Sequence, residues 1–374
     1  MKFLHLADLH LGKRLNDVSF LEDQVRLLCQ VEEIARNEQA DAVLIAGDVY
    51  QKASPQSEAM AAFDQFITRL KSMGLRVFVI SGNHDSAQRI SYFSSLLKQT
   101  GVYVSEAFDG RLQQVTLQDG YGEIVVSLLP FLKPVQVRQF YPDEKIETYQ
   151  DAMQTVLRHS PVEPAKRNVL VCHQFITGAE ISDSEEKTLG GLDNIDASVF
   201  ADFDYVALGH IHKPQKCTRE TLRYAGSLMK YSFSEVNQKK SVTVVEMGEK
   251  GNVIVHTVPL NAPHDMRLVE GFLDEVMALP YSEDYVWVTL RDELPPPDAR
   301  VTVSTVFPNM MKFSILNSKT KTDEDILAKE QMENKTIEEL FSDFYRLQNN
   351  DQPPTSQHMR ILRTLLKKLE AEKR

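Results

Sequence analysis

A chain of 374 residues and 42.6 kDa exceeds one small domain and points to two or three, with room for a sizeable core. Hydrophobic residues make up 42% and charged residues 25%, with 16 Gly and 16 Pro, which excludes a collagenous, low-complexity or wholly disordered chain. The 42 Lys and Arg against 53 Asp and Glu leave a net charge of −11, which argues against a polybasic coat on nucleic acid.

The first element is an apolar run from Phe3 to Ala7 that stops at Asp8. It is too short for a signal peptide, no small-residue cleavage site follows, and no apolar stretch approaches the roughly 18 residues that cross a bilayer, so no membrane association and a cytoplasmic location are expected. Four more runs share the design: Ala42 to Ala46 before Gly47-Asp48, Val77 to Ile80 before Gly82-Asn83, Val169 to Cys172 before His173, and Tyr205 to Leu208 before Gly209-His210. Short continuous runs of this kind read as strands buried on both faces. Between the early ones lie helical patterns. Leu21, Val25, Leu28, Val31 and Ile34 mark one apolar face, and a second helix is expected from a Ser54 N-cap and Pro55 to a stop at Gly74. Alternating strands and helices predict an α/β fold with a largely parallel sheet.

Past residue 220 the pattern turns to strands with turn signals, at Val242 to Met247 and Val253 to Val258, which predicts an antiparallel completion of the same domain. A polar stretch at Ala262 to Asp265 marks a boundary, so residues 1–262 are expected to form the first domain. Residues 263–320 then read as a small α+β module: strands at Arg267 to Glu270, Tyr285 to Leu290 and Lys312 to Leu316, with a helix at Phe272 to Leu279 and a helical stretch after Pro295-Pro296-Pro297. Residues 321–374 read as helices. The last carries Met359, Leu362, Leu365, Leu366 and Leu369 on one face, either packed on its own domain or docking a partner. Cys29, Cys172 and Cys217 show no CxxC spacing, which supports neither a disulfide framework nor a thiolate zinc site.

The residues at the strand ends carry the chemistry: Asp8 and His10, Asp48, Asn83 with His84 and Asp85, His173, and His210 with His212. In open α/β sheets the carboxyl ends of strands converge on one crevice, so these positions can meet. Five of the ten histidines fall there. A carboxylate after the Gly47 turn is placed to bridge two divalent cations, and mixed nitrogen and oxygen donors without sulfur favour Mn, Fe or Zn. Any one of these residues alone reads as a turn or cap; the ordered set does not.

The order Asp8-x-His10, Gly47-Asp48, Gly82-Asn83-His84-Asp85, His173, Gly209-His210-x-His212 resembles the calcineurin-like metallophosphoesterase superfamily. Within it the chain resembles the SbcD family of DNA repair nucleases, on LHLADLHLGK at 4–13, SGNHDSAQR at 81–89, LPFLKP at 129–134, VCHQF at 171–175, YAGSLMKYSFSE at 224–235 and LFSDFY at 340–345. The resemblance implies a four-layer αββα sandwich, a capping domain over 263–320, and C-terminal helices that dock an SbcC-type ATPase in a heterotetramer of two nuclease and two ATPase subunits. It also implies a nuclease homodimer. It assigns Asp8, His10, Asp48 and His212 to one metal, and Asp48, Asn83, His173 and His210 to the other, with Mn2+ as the usual ion. His84 then faces the scissile phosphate and Asp85 orients its ring or caps the turn. The implied reaction is two-metal phosphodiester hydrolysis: 3′–5′ exonuclease action on duplex DNA ends, and endonuclease cutting of hairpins and single strands. Gln51 and Lys52 depart from the family pattern, which usually has an acid or a second histidine shortly after Gly-Asp; this bears on the balance between the two cleavage modes.

Other readings are a metallophosphoesterase acting on nucleotides or phosphoproteins, and a non-catalytic scaffold on the same fold; the complete ligand set disfavours the scaffold. Residues 206–240 hold seven Lys and Arg against two Glu. Lys213, Lys216, Arg219, Arg223 and Lys230, directly after Gly-His-Ile-His, read as DNA phosphate contacts or as a solvated basic loop.

Overall fold

The computed structural model describes residues 1–16, 18–185, 194–317, 341–342, 345–346 and 353–362. Two six-stranded sheets dominate. The first runs, in spatial order, Val253–Pro259, Ser241–Met247, Lys2–Leu6, Ala42–Ala46, Arg76–Ile80 and Val102–Val104, antiparallel at the first two pairings and parallel at the other three. The second runs Gln215–Cys217, Arg219–Tyr224, Tyr205–Gly209, Arg167–His173, Gly122–Leu129 and Gln113–Asp119, parallel through its middle and antiparallel at both margins.

Alternation along the apolar runs produces the layers. Ala42, Leu44, Ala46, Phe78 and Ile80 of the first sheet share one core with Val169, Val171, Tyr205 and Ala207 of the second. The residues between them point outward: Val43, Ile45, Val77 and Val79 pack with Leu27, Leu28, Val31, Phe66 and Leu70 of the outer helices. Leu170, Cys172, Val206 and Leu208 pack with Ala152, Met153 and Val156 on the far side. Helix, sheet, sheet and helix therefore stack in four layers, and the runs are continuous because each strand is covered on both faces.

The helix Leu21–Asn37 buries Leu27, Leu28 and Val31, but also Asp23 and Gln24, so its covered face is rotated from the purely apolar stripe. Both polar residues are paired. Asp23 accepts from the Tyr285 hydroxyl at 3.0 Å and lies 2.9 Å from His264 Nδ1. The second helix spans Ser57–Ser72 rather than starting after Ser54: Gln56 remains extended (φ −70°, ψ 151°), a conformation the proline before it equally permits. It ends at Gly74, whose φ of +84° suits glycine. The hairpin Gln113–Leu129 and the helix Tyr149–His159, capped reciprocally by Thr148 and Asp151, were not foreseen.

The chain divides into two compact units. Among the described residues one comprises Met1–Leu268, Ser282–Trp287 and Phe307–Met311, the other Val269–Tyr281, Val288–Val306 and those from Lys312 onward. Strands Met266–Gly271, Tyr285–Leu290 and Met310–Ile315 form a three-stranded sheet in that order, interleaved in sequence with helices Leu273–Met277 and Ala299–Ser304. Residues 356–362 are helical; most of the expected C-terminal helices, including Leu365, Leu366 and Leu369, lie outside the described residues. Among the described residues no helix is long and apolar enough to cross a membrane.

Candidate metal centre

Beyond Leu6 and Ala46 the chain leaves the sheet but stays paired: Asp8 N donates to Gly47 O at 3.1 Å and His10 N to Asp48 O at 2.9 Å. The side chains that converge here depend on unusual backbone. Asp8, His10, Asp48 and His210 all have positive φ (52°, 43°, 50° and 104°). Non-glycine residues rarely occupy this region, and such strain gathers at functional sites. Two glycines let the strand ends approach. A Cβ on Gly47 (φ +87°) would sit 2.5 Å from His173 Nδ1, and one on Gly209 would sit 1.9 Å from Ala46 O.

Asp48 occupies the middle. Its Oδ2 lies 3.4 Å from His173 Nε2, 3.6 Å from His10 Nε2 and 3.9 Å from His84 Nε2, while Oδ1 accepts from His84 N at 2.9 Å. On one side His10 Nε2 and His212 Nε2 face each other at 3.0 Å, with Asp8 in the same group. On the other, Asn83 Oδ1 lies 3.0 Å from His173 Nε2 and 3.1 Å from His210 Nδ1. Donor atoms within 4.8 Å of one another form three sets: Asp8, His10 and His212; Asp8, Asp48 and His173; and His10, Asp48 and His84. The side chains of His10, Asp48, His173 and His212 are at most 3% exposed, whereas His84 is 20% exposed. His84 therefore has an open side, and His210 is half-buried.

Crowding perturbs His173, Asp48, Asp8, His10 and His210. Burial opposes charge on His173, yet the Asp48 carboxylate outweighs it and lifts the imidazole to about 9. Burial likewise works against Asp48, but the charge on His173 holds it far below the carboxylate range. Burial raises Asp8 to about 6, against the pull of His173 and His212. Burial drives His10 well below its ordinary value and His210 to about 3. His10 Nδ1 is buried with no hydrogen-bond partner. Imidazole, carboxylate and amide donors, packed this tightly with nitrogen facing nitrogen, fit two divalent cations better than they fit protons.

Asp85 does something other than orient the His84 ring. Its carboxylate accepts from Val49 N at 3.0 Å, Tyr50 N at 2.9 Å and Gly82 N at 2.9 Å, clasping the Gly47 loop to the Gly82 loop. That is the turn-capping role of the two readings. The basic residues are also engaged. Lys213 pairs with Glu180, Lys216 with Glu220 at 2.6 Å, Arg223 with Glu220 at 3.2 Å and Lys230 with Asp265 at 2.8 Å. Arg219 donates to the carbonyls of Phe200 and Phe203 at 2.9 and 2.8 Å, tying down a loop. The local excess of positive charge is thus largely answered by neighbouring acids and carbonyls.

Several contributors were not foreseen. Gln24 donates to Leu9 O at 3.0 Å and His10 O at 2.9 Å and accepts from Gly12 N at 3.0 Å; the Tyr231 hydroxyl also donates to Leu9 O at 2.5 Å. Together they hold the Asp8–Gly12 loop. A glutamine interrupting the apolar side of an amphipathic helix was the available signal. Phe131, inside LPFLKP, stacks on His210 at 6.5 Å and meets His173 edge-on at 6.2 Å, walling the centre. The Gln51 side-chain oxygen is buried without a partner.

Comparison with known proteins finds two family matches. Residues 1–214 match the calcineurin-like phosphoesterase family, and residues 262–349 match the Type 5 capsule protein repressor C-terminal domain family. The SbcD subunit of the SbcCD nuclease from Staphylococcus epidermidis is 32% identical over 323 residues, covering 84% of this chain and 85% of its own. The corresponding protein from Staphylococcus saprophyticus is 29% identical and covers 99% of each chain.

Proposed function

The chain belongs to the calcineurin-like phosphoesterase family and, within it, to the SbcD nucleases, and from that premise we propose that it is the metal-dependent nuclease subunit of an SbcCD complex, cutting DNA phosphodiester bonds at the Asp48-centred site. One observation carries the reading: the buried Asp8, His10, His173 and His212 and the half-buried Asn83 and His210 gather around one buried carboxylate, Asp48, that is close to both halves of the cluster. Asp8, His10, Asp48 and His212 would hold one cation, and Asp48, Asn83, His173 and His210 the other. When bound, the cations supply positive charge against the phosphodiester and make water a competent nucleophile. Mn2+ is the proposed ion.

The protein's own groups do the rest. Asp48, anchored by the His84 amide, fixes the separation of the two halves. Phe131 limits water on the His210 side. His84 presents its ring on the open side, where as an imidazolium it can donate to a phosphate oxygen or to the leaving oxygen. The proposed activities are 3′–5′ exonuclease action on duplex ends and endonuclease action on hairpins and single strands. The partner is an SbcC-type ATPase, two copies of each subunit per assembly, and a homodimer of the nuclease is part of that proposal. Residues 263–320 would act as the capping domain, and the helices from 321 on would dock the ATPase.

The deciding experiment is cleavage of end-labelled duplex and hairpin DNA with Mn2+, with and without the ATPase and ATP. Mn2+-dependent degradation that Asp48→Ala abolishes supports the reading. Intact DNA beside rapid turnover of a small phosphomonoester refutes it.

A further inference from the structure

We propose that Ser184, Glu235 and Lys240 are positioning residues that fix the tautomer of His212 and so make one of the two cation positions distinct from the other. The inference rests on the two-cation reading above and concerns groups that touch neither cation.

His212 is held at three points. Its backbone N donates to Glu185 Oε1 at 2.8 Å, its backbone O accepts from Lys240 Nζ at 2.8 Å, and its ring Nδ1 lies 2.7 Å from Ser184 Oγ. Ser184 Oγ donates to Glu235 Oε1, which itself lies 3.4 Å from Nδ1. A hydroxyl has one proton. Once Ser184 gives it to the carboxylate, its oxygen can only accept, here from Nδ1–H of His212; Ser182 Oγ, 2.8 Å away, places its own proton on Glu185 Oε2 at 2.7 Å. The proton of the neutral ring is thereby placed on Nδ1, and the lone pair on Nε2 faces His10 and the centre. Glu235 is fully buried and its other oxygen accepts from Lys240 at 2.6 Å. Lys240 also reaches Ser227 Oγ at 2.8 Å and Gln238 Oε1 at 2.7 Å.

Stability alone does not explain this arrangement, because a buried ion pair is usually no better than a well-packed apolar pair of the same volume. Orientation of a ligand does explain it: partners behind a ligating histidine set its tautomer and raise its basicity. The contrast lies across the site. His173 Nδ1 lies 2.8 Å from the carbonyl of Ala46, a neutral main-chain acceptor. A hydroxyl and an anion thus stand behind His212, and a peptide dipole behind His173. The two cation positions differ in what lies behind their ligands.

The test is titration of the full-length, chelator-stripped protein with Mn2+ by calorimetry, together with 15N shifts of the His212 ring before any cation is added. Wild type should take two equivalents and show His212 in the Nδ1–H form. Ser184→Ala should unfold like wild type in chelator, bind one equivalent about tenfold to a hundredfold more weakly, leave the other unchanged, and show averaged ring shifts. Glu235→Gln with Lys240→Met removes both buried charges together and should give the same selective loss. Two unchanged equivalents in the variants, equal weakening of both, or an unaltered tautomer overturns the inference alone. Fewer than two equivalents in wild type overturns the two-cation reading and this inference with it.

Discussion

Replacing His84 with alanine separates a group that meets substrate from one that holds a cation. The change deletes a ring whose Nε2 is 3.9 Å from Asp48 Oδ2 and which stands edge-on to His10 with 4.9 Å between centroids. It spares the His84 amide, so Asp48 keeps its 2.9 Å anchor. The lost ring is partly exposed and buries no other polar atom's only partner, so the stability cost should be about 1 kcal/mol. The kinetic cost should be far larger. A positioned proton donor contributes on the order of 10²–10⁴-fold, or about 3–5 kcal/mol in the barrier at about 1.36 kcal/mol per decade. Single-turnover cleavage of end-labelled duplex DNA at saturating Mn2+ measures the rate, and calorimetry on the same preparation counts bound ions. The expected result is two equivalents bound and cleavage down by at least two decades. Because His84 also lies within 4.8 Å of His10 and Asp48, loss of one equivalent would make it a ligand and refute the assignment.

Gly209→Ala should disrupt the centre, since its Cβ meets Ala46 O at 1.9 Å and His173 Nδ1 at 2.7 Å, atoms that cannot swing aside. A loss of about 3 kcal/mol in denaturant unfolding is expected, with weakened Mn2+ binding; Gly120→Ala, which meets nothing within 4 Å, serves as control. Asp85→Asn withdraws charge from three backbone amides and should cost about 2 kcal/mol, while cation stoichiometry at saturation stays at two; an unchanged midpoint would count against the clasp. Cation binding should depend on pH in a defined direction. His173, raised to about 9, carries a proton in the cation-free protein that a cation must displace, so affinity should climb as pH rises from 7 towards 9 and proton release should fade above it. The stability of the cation-free protein runs the other way: the contribution from His173 is complete below its unfolded value near 6.5 and is lost as pH rises through about 9. Calorimetry in buffers of different ionisation enthalpy measures the release; none at pH 7.5 would refute it.

The strand ends were legible because a buried parallel strand must be apolar throughout, which makes its first polar residue conspicuous. Asp8, Asp48, His173 and His210 stand out for that reason. Asp85 stood out equally but kept two readings, because a carboxylate that caps a turn and one that steers a neighbouring ring look alike in sequence; its three amide partners favour the cap. The basic stretch kept two readings for a related reason. Counting charge along the chain cannot show that Glu180 and Asp265, distant in sequence, come back to pair with Lys213 and Lys230.

By itself the sequence determined the α/β class, the strands buried on both faces and the polar residues at their ends, since these follow from local rules: continuous apolar runs and the abrupt end of each; the four-layer stacking came only with the family resemblance. Only the tertiary structure decided how those donors are held. Gln24, Tyr231, Ser184, Glu235 and Lys240 act through hydrogen bonds that span tens to hundreds of residues, and a polar side chain carries no mark of its partner until the sheets face each other. Net charge meets the same limit: −11 describes the whole chain, whereas the chemistry depends on a few buried groups whose charge is set by their neighbours.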